Sequence, residues 1–85
     1  MGLQAGSGPS RLRFELPAAG RARLTLHDVS GRLVATLTDE ERVAGAHEVA
    51  WSGRSDQGAR VAAGIYLVRL AAGGAVARAR LVVLH

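Results

Sequence analysis

The side chains best suited to acid–base or nucleophilic chemistry here are three histidines, seven acidic residues and the serines; the 85-residue sequence has no cysteine. Catalysis needs a nucleophile, a base within hydrogen-bond reach of it, and a third group that orients the base. The nearest approaches are His27-Asp28 and His47-Glu48, with Ser30, Ser52 or Ser55 supplying the hydroxyl. Adjacent residues on a strand point to opposite faces, so neither histidine shares a site with the carboxylate beside it. Neither lies near a Gly-x-Ser-x-Gly nucleophile motif. The pattern is that of a protein that is not an enzyme.

Metal chemistry is as poorly provided for. The loop Ser52-Gly53-Arg54-Ser55-Asp56-Gln57-Gly58 has the flavour of a calcium loop, but a hard cation wants several oxygen ligands at about 2.3–2.6 Å. One aspartate beside Arg54 does not supply them. The histidines are isolated and lack zinc-ligand spacing, so no cofactor and no metal is expected.

All eleven basic residues are arginine, and the net charge is +4. High alanine and glycine content alongside arginine without lysine has the look of compositional bias. Arg11 with Arg13, Arg21 with Arg23, and Arg78 with Arg80 stand two residues apart. On neighbouring strands they would make a basic stripe able to contact phosphates. A sheet that reads single strands also needs exposed aromatics, and the one Phe, one Tyr and one Trp all fall at expected core positions. Nucleic acid is therefore not the expected partner. The arginines read as a solvated, edge-protecting face, with Glu15 and Glu48 as counterions.

The elements that must carry these residues are strands. Residues 1–10 read as a Gly/Ser-rich flexible leader closed by Pro9, and residues 11–85 as one small domain. Leu12, Phe14 and Leu16 alternate with charges, as do Ala22, Leu24 and Leu26, which is the period-two signature of half-buried strands. Asp28-Val29-Ser30-Gly31-Arg32 is a turn, with Asp28 tying its backbone and Gly31 free to take positive φ. A third strand follows over 33–37, then a polar loop or helical turn over 39–45. His47, Val49 and Trp51 share one face of a fourth strand, with Trp51 as the large core anchor.

The longest loop runs over 52–64 and holds Gly53, Gly58 and Gly64, with a short strand at 60–62. Residues 65–70 are apolar on both faces apart from Arg69, the pattern of a buried central strand. A hairpin through Gly73-Gly74 leads into 76–84, where Ala77, Ala79, Leu81 and Val83 alternate with Arg78, Arg80 and Val82. About seven short strands with regular turn signals predict an all-β antiparallel sandwich, Ig-like or fibronectin-III-like.

Three blocks in order carry a family resemblance. They are Leu24-Thr25-Leu26-His27-Asp28-Val29-Ser30-Gly31-Arg32-Leu33-Val34, Ala44-Gly45-Ala46-His47-Glu48-Val49-Ala50-Trp51, and Gly64-Ile65-Tyr66-Leu67-Val68-Arg69-Leu70. Together they resemble the Ig-like C-terminal domain family shared by type IX secretion sorting domains and the flagellar hook-capping protein. The resemblance covers about residues 11 to 84. The sequence departs from it at Gly8-Pro9-Ser10, where a Pro-Asn-Pro-like segment is usual, at His27 for the usual tyrosine, and at Ser52 and Ser55 for aspartates.

The resemblance implies a C-terminal sorting and recognition module that directs a secreted cargo to type IX secretion and the cell surface. Its partner would be a protein, either the secretion machinery or an assembly partner, with no membrane insertion. The alternatives it implies are a structural assembly module like that of the hook-capping scaffold, or an accessory domain of a secreted enzyme or adhesin. By resemblance the terminal strand carries the signal, with Arg78, Arg80, Val82 and Leu84 as recognition residues. Asp28, Gly31, Trp51, Gly58, Gly64 and Tyr66 would serve the fold. Residues 1–10 have neither the basic start nor the apolar core of a signal peptide. A secreted role therefore implies an export signal elsewhere in a longer precursor, with this module at its C-terminal end.

Overall fold

In the computed structural model the described residues, 1–5 and 11–84, fold into seven strands and no helix. These are β1 (Gly2–Ala5), β2 (Arg11–Leu16), β3 (Gly20–His27), β4 (Leu33–Arg42), β5 (Gly45–Ala50), β6 (Gly64–Ala72) and β7 (Ala75–Val83). They form two sheets, a three-stranded one in the order β1-β2-β5 and a four-stranded one in the order β4-β3-β6-β7, with every pairing antiparallel. This is the Ig-like β-sandwich the strand pattern predicts.

Alternation decides which side chains meet between the sheets. β2 contributes Leu12, Phe14 and Leu16; β3 contributes Ala22, Leu24 and Leu26; β6 contributes Tyr66, Val68 and Leu70. Trp51, Val49, Val61, Ala35 and Leu81 close the core. Each large apolar side chain buried there contributes about 1.5–3 kcal/mol, and without disulfides this packing carries the stability.

Two buried aromatics also fasten the chain through their polar tips. The Tyr66 hydroxyl donates to the Ala62 carbonyl at 2.6 Å, and Trp51 Nε1 donates to the Arg54 carbonyl at 2.9 Å. A tyrosine at the start of a strand, bonded a few residues upstream, is the tyrosine corner of Ig-type sandwiches.

The turn between β3 and β4 is organised by Asp28. Its Oδ1 accepts from the Ser30 hydroxyl at 2.6 Å and from the backbone N–H groups of Ser30 and Arg32, each at 3.0 Å. Gly31 supplies the left-handed residue this turn needs, at φ +91°. Gly58 has the same function in the long loop at φ +85°, and Gly64 opens β6.

Four local expectations are corrected. Gly2–Ala5, inside the stretch assigned to a flexible leader, form a strand on β2, with Leu3 opposite Phe14 and packed on the core. Edge pairing uses backbone groups, which a Gly-rich composition does not remove. Residues 6–10 and His85 lie outside the described residues. Residues 39–42, assigned to a loop or helical turn, continue β4, because Asp39 and Glu41 face Arg23 and Arg21 across the ladder. Residues 60–62 make only an isolated bridge from Arg60 to Arg54. β6 is central but not buried on both faces: Ile65 and Leu67 are 49% and 41% exposed.

Candidate functional site

Both candidate histidines and the Ser30 hydroxyl are committed to local structure. His27 Nε2 shares a hydrogen bond with Thr25 Oγ1 at 2.9 Å, and its Nδ1 faces the Gly31 carbonyl at 3.3 Å. The Ser30 hydroxyl is given to Asp28. His47 Nε2 bonds the Val43 carbonyl at 2.7 Å while its ring stacks on Phe14. Three donors hold the Asp28 carboxyl below its ordinary value of 3.8, the Ser30 hydroxyl having the largest effect.

The 52–58 loop turns its oxygens inward in the same way. The carbonyls of Gly53, Arg54, Ser55 and Gly58 accept from Val61, Trp51, Gly58 and Arg54 respectively. Asp56 Oδ1 accepts from the Thr36 amide at 2.9 Å, and the Asp56 amide donates to the Val34 carbonyl at 3.1 Å. The loop thus caps the outer edge of β4, a role that sequence reasoning missed. Among the described residues no group of three His, Asp or Glu could hold a metal ion.

The three arginine pairs do not form one stripe. Arg11 and Arg13 lie on β2 in the other sheet, and β6 stands between β3 and β7. Arg11 pairs with Glu48. Asp39 takes Arg21 at 2.8 Å and Arg23 at 4.0 Å, and holds the Arg21 guanidinium further toward its charged form. Arg42 meets Glu40 at 2.9 Å.

The expected recognition residues come together with others on the outward face of β6 and β7. Arg78, Arg80 and Val82 alternate outward along β7, and Leu84 follows the strand at 81% exposure. Register places Arg69 of β6 directly opposite Arg78, Leu67 opposite Arg80, and Ile65 opposite Val82. On the far side of Leu67 the ladder continues through His27 to Leu33, which is 45% exposed. Along the face a cationic stretch, Arg69, Arg78 and Arg80, lies between exposed Val76 on one side and an apolar group, Ile65, Leu67, Val82 and Leu33, on the other. Among the described residues none of the three arginines forms a salt bridge.

Arg69, Ile65 and Leu67 were missed as surface residues. The signal was present: the one charge in 65–70 fixes the parity of the strand, and Ile65 and Leu67 share that parity.

Comparison with known proteins places this architecture. The family model described as the FlgD Ig-like domain matches residues 2–75. The chain belongs to that family. Among solved structures, this FlgD-type Ig domain is similar to part of PorZ, described as an essential bacterial surface component of the type-IX secretion system of Porphyromonas gingivalis. The match has 26% identity and a TM-score of 0.63, and covers 99% of this chain. It covers 12% of the PorZ chain, so the Ig domain corresponds to a small part of that protein. No curated protein matches the chain.

Proposed function

We propose that this FlgD-type Ig domain is a non-catalytic sorting and recognition module that takes a secreted cargo to type IX secretion and the cell surface. The observation that carries the reading is the likeness to a segment of PorZ over nearly the whole chain. The outward face of the last strand supports it, since Arg78, Arg80 and Val82 are presented to solvent with no task in the core. Recognition of this kind needs a rigid display and no reacting group. The partner is a protein of the secretion machinery, and the recognition residues are Arg78, Arg80, Val82 and Leu84.

The test is a fusion of residues 1–85 to the C-terminus of a signal-peptide-bearing reporter, in a host with type IX secretion. The whole chain is used because β1 completes the three-stranded sheet. The expected result is reporter at the cell surface or in the medium. A reporter that stays in the periplasm sinks the sorting role.

A second reading has its own support, because the matching family model is that of the FlgD Ig-like domain, in keeping with the resemblance to the hook-capping scaffold. In it the module provides protein–protein contacts within an assembly and addresses no cargo. A fusion retained in the periplasm, together with specific capture of a structural partner by the same face, would favour it.

A further inference from the structure

We propose that the outward face of β6 and β7 docks an extended, acidic segment of a partner protein. Its carboxylates would meet Arg69, Arg78 and Arg80, and an apolar side chain would rest on Ile65, Leu67 and Val82. The inference rests on the recognition reading above and names the chemistry of the partner.

The first support is a charge imbalance. Arg69 and Arg78 are directly opposed across the β6–β7 ladder, and Arg80 follows two residues along. Like charges directly opposite each other destabilise a sheet. Four other arginines have acids, Glu48 for Arg11, Asp39 for Arg21 and Arg23, and Glu40 for Arg42, but only here, among the described residues, do two arginines stand directly opposed with a third beside them. On this face, among the described residues, no acid bridges any of the three. An incoming carboxylate would relieve repulsion between the arginines as well as adding attraction.

The second support is the apolar half of the same face. Ile65, Leu67 and Val82 are 49%, 41% and 53% exposed, and they adjoin one another through the Ile65–Val82 and Leu67–Arg80 register pairs. Single exposed apolar residues are ordinary, whereas a contiguous group beside a charged one marks an interaction surface.

Geometry selects the occupant. Arg78, Arg80 and Val82 succeed one another at two-residue steps, about 6.6–6.8 Å apart along a strand. An extended segment reading acidic-x-acidic-x-apolar has the same spacing. The guanidinium fork suits a carboxylate, which it can bind through two parallel hydrogen bonds. A second copy of this chain is disfavoured, since two-fold pairing of the face would set its arginines against their own copies or against apolar side chains, with no carboxylate on the β6–β7 face to meet them. A nucleic acid would find no aromatic to stack on, because Phe14, Trp51 and Tyr66 are buried. A plain polyanion would leave the apolar half unused.

The test is an amide-resolved NMR titration of the full 85-residue chain with the peptide acetyl-Glu-Thr-Glu-Thr-Val-Thr-Val-amide. Expected are shifts concentrated on β6 and β7, and an affinity that weakens as salt is raised. Arg69→Gln, Arg78→Gln and Arg80→Gln together are expected to weaken binding about tenfold. Leu67→Ser with Val82→Ser is expected to weaken it severalfold. Spectra of both variants report retention of the fold, and Arg78→Gln alone, the mildest change, is expected to weaken binding about twofold to threefold.

The proposal is overturned by absence of binding at millimolar peptide, by shifts that map to β2 and β5, or by arginine variants that bind like the wild type. It is also overturned if poly-glutamate or phosphatidylglycerol vesicles bind as tightly as the peptide, which would make the face a general anion or membrane contact. The reporter fusion separates this idea from the sorting role. A triple-arginine fusion secreted like the wild type overturns the acidic partner and leaves sorting intact. A wild-type fusion held in the periplasm, with peptide binding preserved, ends the sorting role and supports the surface.

Discussion

Asp56 and Thr36 are joined at 2.9 Å, carboxylate oxygen to backbone amide, across the open edge of the four-stranded sheet. The return bond from the Asp56 amide to the Val34 carbonyl completes a two-point seal. An unsealed strand edge is a template for pairing with another chain. The loop that follows Trp51 therefore protects β4 over Val34 to Thr36.

Replacing Asp56 with alanine removes one half of that seal. The expected loss is about 1 kcal/mol, the scale of one net hydrogen bond. The Thr36 amide is also expected to exchange with solvent faster than its neighbours. Urea unfolding and hydrogen exchange would check these, and an unchanged Thr36 exchange rate would refute the sealing role.

Tyr66→Phe keeps the ring in the core and removes only the hydroxyl that reaches Ala62. The expected loss is about 1 kcal/mol or somewhat more, since the carbonyl loses its partner at a half-buried corner. Equal urea midpoints for the two proteins would show that the corner bond contributes nothing.

Asp28 makes the β3–β4 turn depend on pH. Its carboxyl is held below its ordinary 3.8 in the folded chain. A depressed folded value means stability that is present above the unfolded value and lost as pH falls through the folded one. Asp28→Asn is thus expected to lower Tm at neutral pH, and the gap from wild type is expected to shrink once the pH drops below about 4. A gap that stays constant into acid would place the effect elsewhere.

The two faces of the four-stranded sheet predict opposite outcomes for leucine. Leu24→Ala, at a fully buried position, is expected to cost about 2–5 kcal/mol. Leu67→Ser, on the outward face at 41% exposure, is expected to cost less than about 1 kcal/mol. Thermal melts of the two variants decide it; comparable losses would mean that Leu67 is core after all.

Alternation in the sequence was enough to determine the sandwich and most of its core, because side chains on a strand can point only two ways and one face must be dry. It placed Leu12, Phe14, Leu16, Leu24 and Leu26 inside from parity alone, and Asp28-Val29-Ser30-Gly31-Arg32 announced its turn. The family was legible in three spaced blocks. What β-structure hides in a sequence is which strand lies beside which, since the ladder is made by backbone groups that all residues share.

Only the tertiary structure could therefore break the supposed arginine stripe, by putting Arg11 and Arg13 in one sheet and setting β6 between the other two pairs. The same register gave Arg21 and Arg23 their Asp39 and left Arg69 facing Arg78. Gly2–Ala5 joined the sheet for the same reason, by pairing through the backbone. The residue types were written in the chain; pairing across strands decided which arginines meet an acid and which stand without one on the outward face.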